Sequence, residues 1–474
     1  MEEVAEGGGA DGRERLFFAR SSEFDARALY GAPWNDADHL ARDWRTAMRR
    51  RTALCEAVGA RFAMLIAPDA HAVHADELPP ELAFAEPSVA DRFAELFAGL
   101  PGVNLIHPRE ALRAARGPVD LYQRTDSHWT SFGAYAAYRM LMERVGAGAR
   151  VLGPDEVRFG WREEVGDLGW VFDPPRRAAH PVAEIVEPRA RSVLDRRDEG
   201  RGGLRVFEVD DSALPTCLVF RDSFATSMAP FLAESFRRTV VIGADDRFFP
   251  EALFDERPDV VIVERAERAL PFGVIDWGLA TWREQWPEPG ADPAAEAADA
   301  QARRLLGAGD AAAALACAEQ AVAAESTADR LFTLGRTRLQ ADDAAGAADA
   351  FAAALELEPS RWAFALHLGI AFLRAQRLAE ARDLFARCCA LAPWHPVGFE
   401  HFGYASLALG DLGGAEPALR TAIRLGPELA GGWVWLVHLL RAAGRAEEAQ
   451  AVACAGGSAC PNDATLQALA APQA

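Results

Sequence analysis

Two short stretches of this chain bring together an acid, a base and a nucleophile. In Tyr122-Gln-Arg-Thr-Asp126-Ser-His128-Trp129-Thr130 a carboxylate and an imidazole stand two residues apart. In Cys217-Leu-Val-Phe-Arg-Asp-Ser223-Phe-Ala-Thr a serine follows directly on an apolar run. Residues i and i+2 of an extended or turning segment point the same way, so Asp126 can fix the tautomer of His128, and His128 can take the proton of Ser223. A serine at a strand-to-helix turn has its hydroxyl at the carboxyl edge of a sheet, with backbone N–H groups at hand for an oxyanion. That is the equipment of acyl transfer. A plainer reading makes Asp222 or Ser223 only a helix N-cap, since Asp and Ser are favoured there. His71, His74, His107 and His180 are rival histidines in this domain. A metal site built on Asp126 and His128, with His71 and His74 as further ligands, lacks an HExxH or comparable spacing; no metal and no cofactor is expected.

The elements that must position these residues are legible in the apolar patterning. Arg61–Ala67, Thr216–Phe220, Thr239–Ile242 and Asp259–Val263 are apolar runs that suit strands buried on both faces. Helical stretches at 38–58, 89–98 and 131–145 separate them, and a helix-like stretch over 224–236 follows Ser223. Strands alternating with helices predict an α/β domain with a parallel sheet. The proline-rich segment at 286–294 breaks the pattern and marks a linker between a domain at 12–285 and a second at 295–474.

In the second half Gly335, Gly369 and Gly403 are 34 residues apart, and Ala347, Ala381, Ala415 and Ala449 keep the same step. So do Pro359, Pro393, Pro427 and Pro461, while Phe351, Phe385 and Leu419 share one register position. Small residues where two helices touch, with proline closing the second, are the tetratricopeptide signature. Counting a degenerate unit from about residue 295, five units are expected to form an all-α solenoid that binds a peptide or protein.

Composition narrows the classes further. A net charge of -20 argues against a nucleic-acid binder, which must neutralise phosphates. Lysine is absent, which removes P-loop and Schiff-base chemistry. The seven cysteines are scattered, without a CxxC pair, and read as free thiols. No apolar run approaches the roughly 18 residues of a membrane span. Met1-Glu-Glu-Val-Ala-Glu-Gly-Gly-Gly lacks the basic and apolar regions of a secretory signal. Residues 1–11 are therefore expected to be disordered and the protein cytoplasmic, or periplasmic if the true start lies elsewhere.

Thr125-Asp-Ser-His-Trp-Thr-Ser-Phe-Gly-Ala134 resembles the Thr-Asp-x-His-Trp-Thr-x-x-Gly-Ala motif of the alginate O-acetyltransferase family. Further stretches agree in order: Gly12-Arg-Glu-Arg-Leu-Phe-Phe, Ile66-Ala-Pro68 through Glu77-Leu-Pro79, Gly166-Asp-Leu168, and Val219-Phe-Arg-Asp-Ser-Phe. The resemblance implies a variant SGNH-hydrolase-like fold with Ser223 as nucleophile, His128 as base and Asp126 as its orienting acid. It also implies an acetyl donor and a carbohydrate acceptor outside the cytoplasm. Arg221 departs from the family's glycine before Asp-Ser, and Ala70 stands where a lysine is frequent. No asparagine occupies a Gly-x-Asn position, so backbone N–H groups, with Arg221 beside them, are the expected oxyanion donors. Tyr122, Arg124, Trp129 and Arg221 are the expected substrate-binding rim, with core packing as the alternative for the two aromatics. The reading taken forward is a serine-dependent O-acetyltransferase or acetylesterase acting on a carbohydrate hydroxyl. Its alternative is a catalytically silent adaptor whose repeats scaffold a complex.

Overall fold

The computed structural model describes residues 3–8, 14–21, 25–31, 38–146, 148–196, 203–243, 247–274 and 292–471. The chain divides into two compact units, Met1–Asp276 and Trp277–Ala474. Most of the segment read as a linker lies outside the described residues, as do Gly12 and Arg13 of the N-terminal motif.

The strands of the first unit are β1 (Glu3–Gly8), β2 (Glu14–Arg20), β3 (Arg61–Ala67), β4 (Asn104–Ile106), β5 (Val157–Glu164), β6 (Ala178–Ile185), β7 (Arg191–Arg196), β8 (Leu204–Glu208), β9 (Thr216–Arg221), β10 (Arg238–Gly243) and β11 (Val260–Ala266). Its helices are α1 (Ala26–Tyr30), α2 (Asp38–Val58), α3 (Ala70–Val73), α4 (Val89–Phe97), α5 (Arg109–Ala114), α6 (Ser131–Val145), α7 (Ala229–Ser235) and α8 (Pro250–Glu256).

A seven-stranded sheet in the order β4-β3-β11-β9-β10-β8-β7 forms the centre. The five strands from β4 to β10 run parallel. The expected parallel sheet carries two antiparallel strands at one edge, where β8 pairs antiparallel with β10 and β7 antiparallel with β8. The sequence explains the difference. β3, β9 and β11 are nearly continuous apolar runs buried along their length, whereas β7, Arg-Ser-Val-Leu-Asp-Arg, is charged and largely exposed, as suits an edge. Helix α2 packs on β3, α4 and α8, and α6 on β3, β4 and α7, so the central strands are covered. Each large apolar side chain buried in this way contributes about 1.5–3 kcal/mol.

Two further departures matter. Residues Glu3–Gly8, expected to be disordered, form β1 and pair with β2. Gly7 packs there so closely that a Cβ would lie 2.1 Å from the carbonyl oxygen of Glu77, so this glycine serves close approach. The stretch 224–236 is not one helix: a single 3₁₀ turn, Phe224–Thr226, is followed by α7, with Pro230 in the first turn of α7.

The second unit is a run of helical pairs, from Pro293–Gly307 with Ala311–Ala324 to Ala430–Ala442 with Ala446–Ala459, closed by Ala464–Ala470. Gly335, Gly369 and Gly403 lie against Phe351, Phe385 and Leu419 of the following helix, all three fully buried. The 34-residue step thus records one helix crossing, repeated. All seven cysteines are free. Among the described residues no helix is long and apolar enough to cross a membrane.

Candidate active site

The acid and base are held at the tip of a tight loop. Tyr122 and Trp129 pair as an antiparallel bridge, Gln123 N–H donates to His128 O at 3.0 Å, and Thr130 N–H donates to Leu121 O at 2.8 Å. Fully buried Arg15 grips the base of the loop, donating to the carbonyls of Tyr122 and Gln123 and pairing with Glu77 and Asp120. Thr130 caps α6 by accepting from Gly133 N–H. Gly133 itself is required because a Cβ would lie 2.2 Å from Leu121 O. The Thr-Ser-Phe-Gly-Ala part of the motif is therefore the joint between loop and helix.

At the tip, the carboxylate oxygen Oδ1 of Asp126 lies 2.7 Å from His128 Nδ1 and accepts the His128 backbone N–H at 2.9 Å. Its Oδ2 accepts the N–H of Asp167 at 2.9 Å. Burial works to raise the Asp126 carboxyl, but the hydrogen bond and charge of His128, with the backbone N–H groups of Asp167 and His128, hold it below the usual carboxylate range. With Asp126 on Nδ1, the imidazole carries its proton there and offers Nε2 as acceptor.

The nucleophile arrives from β9. Ser223 is exposed at the carboxyl end of the sheet, and its Oγ lies 2.7 Å from His128 Nε2. Its hydroxyl makes no cap to the turn; the Asp222 carboxylate does, accepting from Phe224 N–H at 2.9 Å and Ala266 N–H at 2.5 Å. Glu264, on the neighbouring strand, accepts from the N–H groups of Asp222 and Ala225, both at 3.2 Å. Burial drives the Glu264 carboxyl well above its ordinary range, and the adjacent Asp222 charge pushes the same way. Phe224 completes the floor, packing 4.9 Å from the His128 ring and edge-on to Trp129.

Of the four residues expected at the rim, Tyr122 and Trp129 take the core-packing alternative, Arg221 is buried and Arg124 is partly buried. Tyr122 is fully buried and its hydroxyl donates to Pro68 O at 2.5 Å. Trp129 is fully buried and its indole N–H donates to Phe224 O at 2.8 Å. Arg124 forms a two-pronged pair with Asp120. Arg221 is buried, donating to Asp222 O at 2.9 Å and Thr226 Oγ1 at 3.0 Å. Sequence neighbourhood identified these residues as belonging to the site but not which way each side chain faces.

Asp167 and Arg268 were missed. Asp167 accepts from Ser127 N–H at 2.7 Å and Ser127 Oγ at 2.6 Å, and its Oδ2 lies 3.7 Å from His128 Nδ1. The Gly166-Asp-Leu168 motif signalled its presence without its role. Arg268 gave no local signal. Asp126, His128 and Asp167 bring possible ligand atoms within 4.8 Å of one another. Both ring nitrogens of His128 are nevertheless committed, to Asp126 and Ser223. His71 and His74, weighed as further ligands, are not part of this cluster: His71 Nε2 meets Phe18 O at 2.9 Å, and His74 Nδ1 meets Glu77 at 2.7 Å.

Residues 19–251 match the family model described as SGNH hydrolase-like domain, acetyltransferase AlgX, and residues 332–395 match a tetratricopeptide repeat model. Among solved structures, the chain is similar to PatB1 of Bacillus cereus with a sulfonyl adduct, at 14% identity and a TM-score of 0.44, covering 57% of this chain and 96% of that one. A DHHW family protein of Eubacterium siraeum is 15% identical with a TM-score of 0.41, covering 58% of this chain and 96% of its own. A tetratricopeptide protein of Thermus thermophilus is 21% identical with a TM-score of 0.32, covering 37% and 96%. No curated protein matches the sequence.

Proposed function

We propose that this chain, in which a match to an SGNH hydrolase-like acetyltransferase model precedes a match to a tetratricopeptide repeat model, is a serine-dependent O-acetyltransferase or acetylesterase acting on a carbohydrate hydroxyl. The observation that carries the proposal is the unbroken line from Asp126 to His128 Nδ1 and from His128 Nε2 to Ser223 Oγ, each contact 2.7 Å. Hydrogen-bond reach between nucleophile and base, and between base and orienter, is what such a triad requires.

In this reading Ser223 Oγ attacks the carbonyl carbon of an acetyl ester while His128 Nε2 takes its proton. Asp126, kept ionised, holds the Nδ1 proton and stabilises the imidazolium. The Asp222, Phe224 and Ala225 N–H groups are taken by the carboxyl oxygens of Glu264 and Asp222, which leaves the Ser223 N–H among the turn's donors for the developing oxyanion. Collapse expels the donor alkoxide, which receives the proton from His128, and leaves an acetyl-serine. His128 then deprotonates an acceptor hydroxyl or water, which attacks the acyl carbon; the acyl–Oγ bond breaks and His128 returns that proton to Ser223 Oγ. Transfer and hydrolysis differ only in that second nucleophile. The repeats bind a protein or peptide partner.

The test is turnover of an aryl acetate by the full chain beside its Ser223→Ala and His128→Ala variants, with mass spectrometry of the Ser223 peptide. Both substitutions are expected to lower kcat by about 1,000-fold or more, because triad members act as a unit. An inert wild type with no acetylated Ser223 would remove the enzymatic reading and favour a silent adaptor.

A further inference from the structure

The nucleophile and the acid–base arm come from segments 95 residues apart, so something must hold them in register. Arg268, just beyond the end of β11, touches both. Its Nη2 donates to Ser127 Oγ at 3.2 Å, and Ser127 Oγ donates onward to Asp167, whose backbone N–H donates to Asp126. The same guanidinium lies over the Phe224 ring, 5.1 Å from its centroid, and Phe224 is the residue after Ser223 and the floor under His128. A cation over an aromatic face contributes about 0.5–2 kcal/mol.

Arg268 is itself held from behind. Asp69, buried at the carboxyl end of β3, accepts from Arg268 Nη1 at 2.6 Å and from the Arg268 backbone N–H at 3.0 Å. Tyr30 donates to the same carboxylate at 2.5 Å. The Arg268 side chain retains 21% exposure, so it stands at the edge of the site while its partner is sealed. Guanidinium geometry suits this duty, since a planar fork can serve a carboxylate, a hydroxyl and a ring at once, and a lysine ammonium cannot.

We propose that Arg268 is a positioning residue that clasps the Ser223 turn to the Asp126–His128 arm through Phe224 and the Ser127–Asp167 pair. This rests on the acyl-transfer reading, but its physical content is the geometry of His128 and can be measured without turnover. The clasp does not touch reacting atoms. It sets the distance at which they meet, and an error near 1 Å there costs about 100-fold in rate.

The experiment compares Arg268→Gln, Arg268→Lys and Tyr30→Phe in the full chain. The readouts are aryl acetate kinetics, labelling of Ser223 by an aryl sulfonyl fluoride, and the downfield proton resonance of His128 Nδ1–H. Both Arg268 variants are expected to lose about 100-fold in kcat with KM little changed, to label slowly, and to broaden or lose the resonance. Arg268→Lys keeps a cation for Asp69 and so keeps the fold if Arg268→Gln does not. Tyr30→Phe removes a bond to Asp69 of the same kind while leaving the clasp, and should retain rate and resonance despite lower stability. Wild-type rate and an intact resonance in Arg268→Lys would overturn the proposal, as would equal losses in Tyr30→Phe. If the wild type neither turns over nor labels, the acyl-transfer reading falls, and the resonance still decides the clasp.

Discussion

Gly166 presses so closely on Asp126 that a Cβ at position 166 would lie 2.5 Å from the Asp126 Cβ and 2.2 Å from the carbonyl oxygen of Thr125. The loop between β5 and β6 is therefore the back wall of the acid, and the N–H groups of Leu168 and Gly169 fasten it to Thr125 O at 3.1 and 2.9 Å. Gly166→Ala must push this wall or Asp126 aside. It should cost about 1–3 kcal/mol in stability and about 100-fold in kcat. Steady-state kinetics with an aryl acetate, beside a urea titration, measure both. Full activity in a stable Gly166→Ala protein would show that the wall does not set the position of the acid.

Arg221 is predicted to act on stability and turnover, not on substrate affinity. Its guanidinium is buried and donates to Asp222 O and Thr226 Oγ1, on either side of Ser223. Arg221→Gln withdraws charged donors from both acceptors, a loss of about 1–3 kcal/mol, and loosens the turn. The KM for a small ester should stay near the wild-type value. A several-fold rise in KM with unchanged stability would return Arg221 to the rim.

What was legible in the sequence follows from what is local. Asp126 and His128 sit two residues apart, and Ser223 ends an apolar run, so type and spacing sufficed for the three residues that meet. The bounds of α2 and α6 match the expected helical stretches, and Thr130 caps the start of α6. The hairpin of β5 and β6 escaped because Val-Arg-Phe-Gly-Trp-Arg-Glu-Glu is charged and exposed, with Trp161 at 60%, and no apolar run marks it. Arg268 and Asp69 are 199 residues apart and sit at the ends of two strands, so only the strand order brings them together. The side-chain direction of Tyr122 and Trp129 was equally hidden, because the loop's own bridge decides it.

In the repeats, the recurring glycine is predicted to be a packing requirement. A Cβ on Gly369 would lie 2.6 Å from the ring of Phe385, which is fully buried and cannot withdraw. Gly369→Ala gains about 1 kcal/mol of helix propensity but should lose about 1–3 kcal/mol net through overpacking. Gly307→Ala is the control, because nothing lies within 4 Å of a Cβ there, and it should be neutral or slightly stabilising. Thermal unfolding of the two variants against the wild type reads the sign. Equal behaviour would mean that the 34-residue glycine step reflects composition alone.

Glu267 predicts a pH dependence of stability. It is fully buried at the start of the turn after β11 and accepts from Ser88 Oγ at 2.7 Å. Burial raises its carboxyl to about 7 despite that hydrogen bond, with Asp69 pushing the same way. A carboxyl whose folded value is raised binds its proton more tightly in the folded state. Its contribution is complete below the ordinary value of 4.5 and is lost as pH rises toward about 7. Glu267→Gln keeps an acceptor for Ser88 and has no proton to lose. The wild type should therefore weaken relative to Glu267→Gln between pH 4.5 and about 7, by roughly 3 kcal/mol, and no further above that. Urea titrations of both proteins at steps from pH 5 to 8 give the difference directly, and a gap that stays constant across that range would show that Glu267 titrates at its ordinary value.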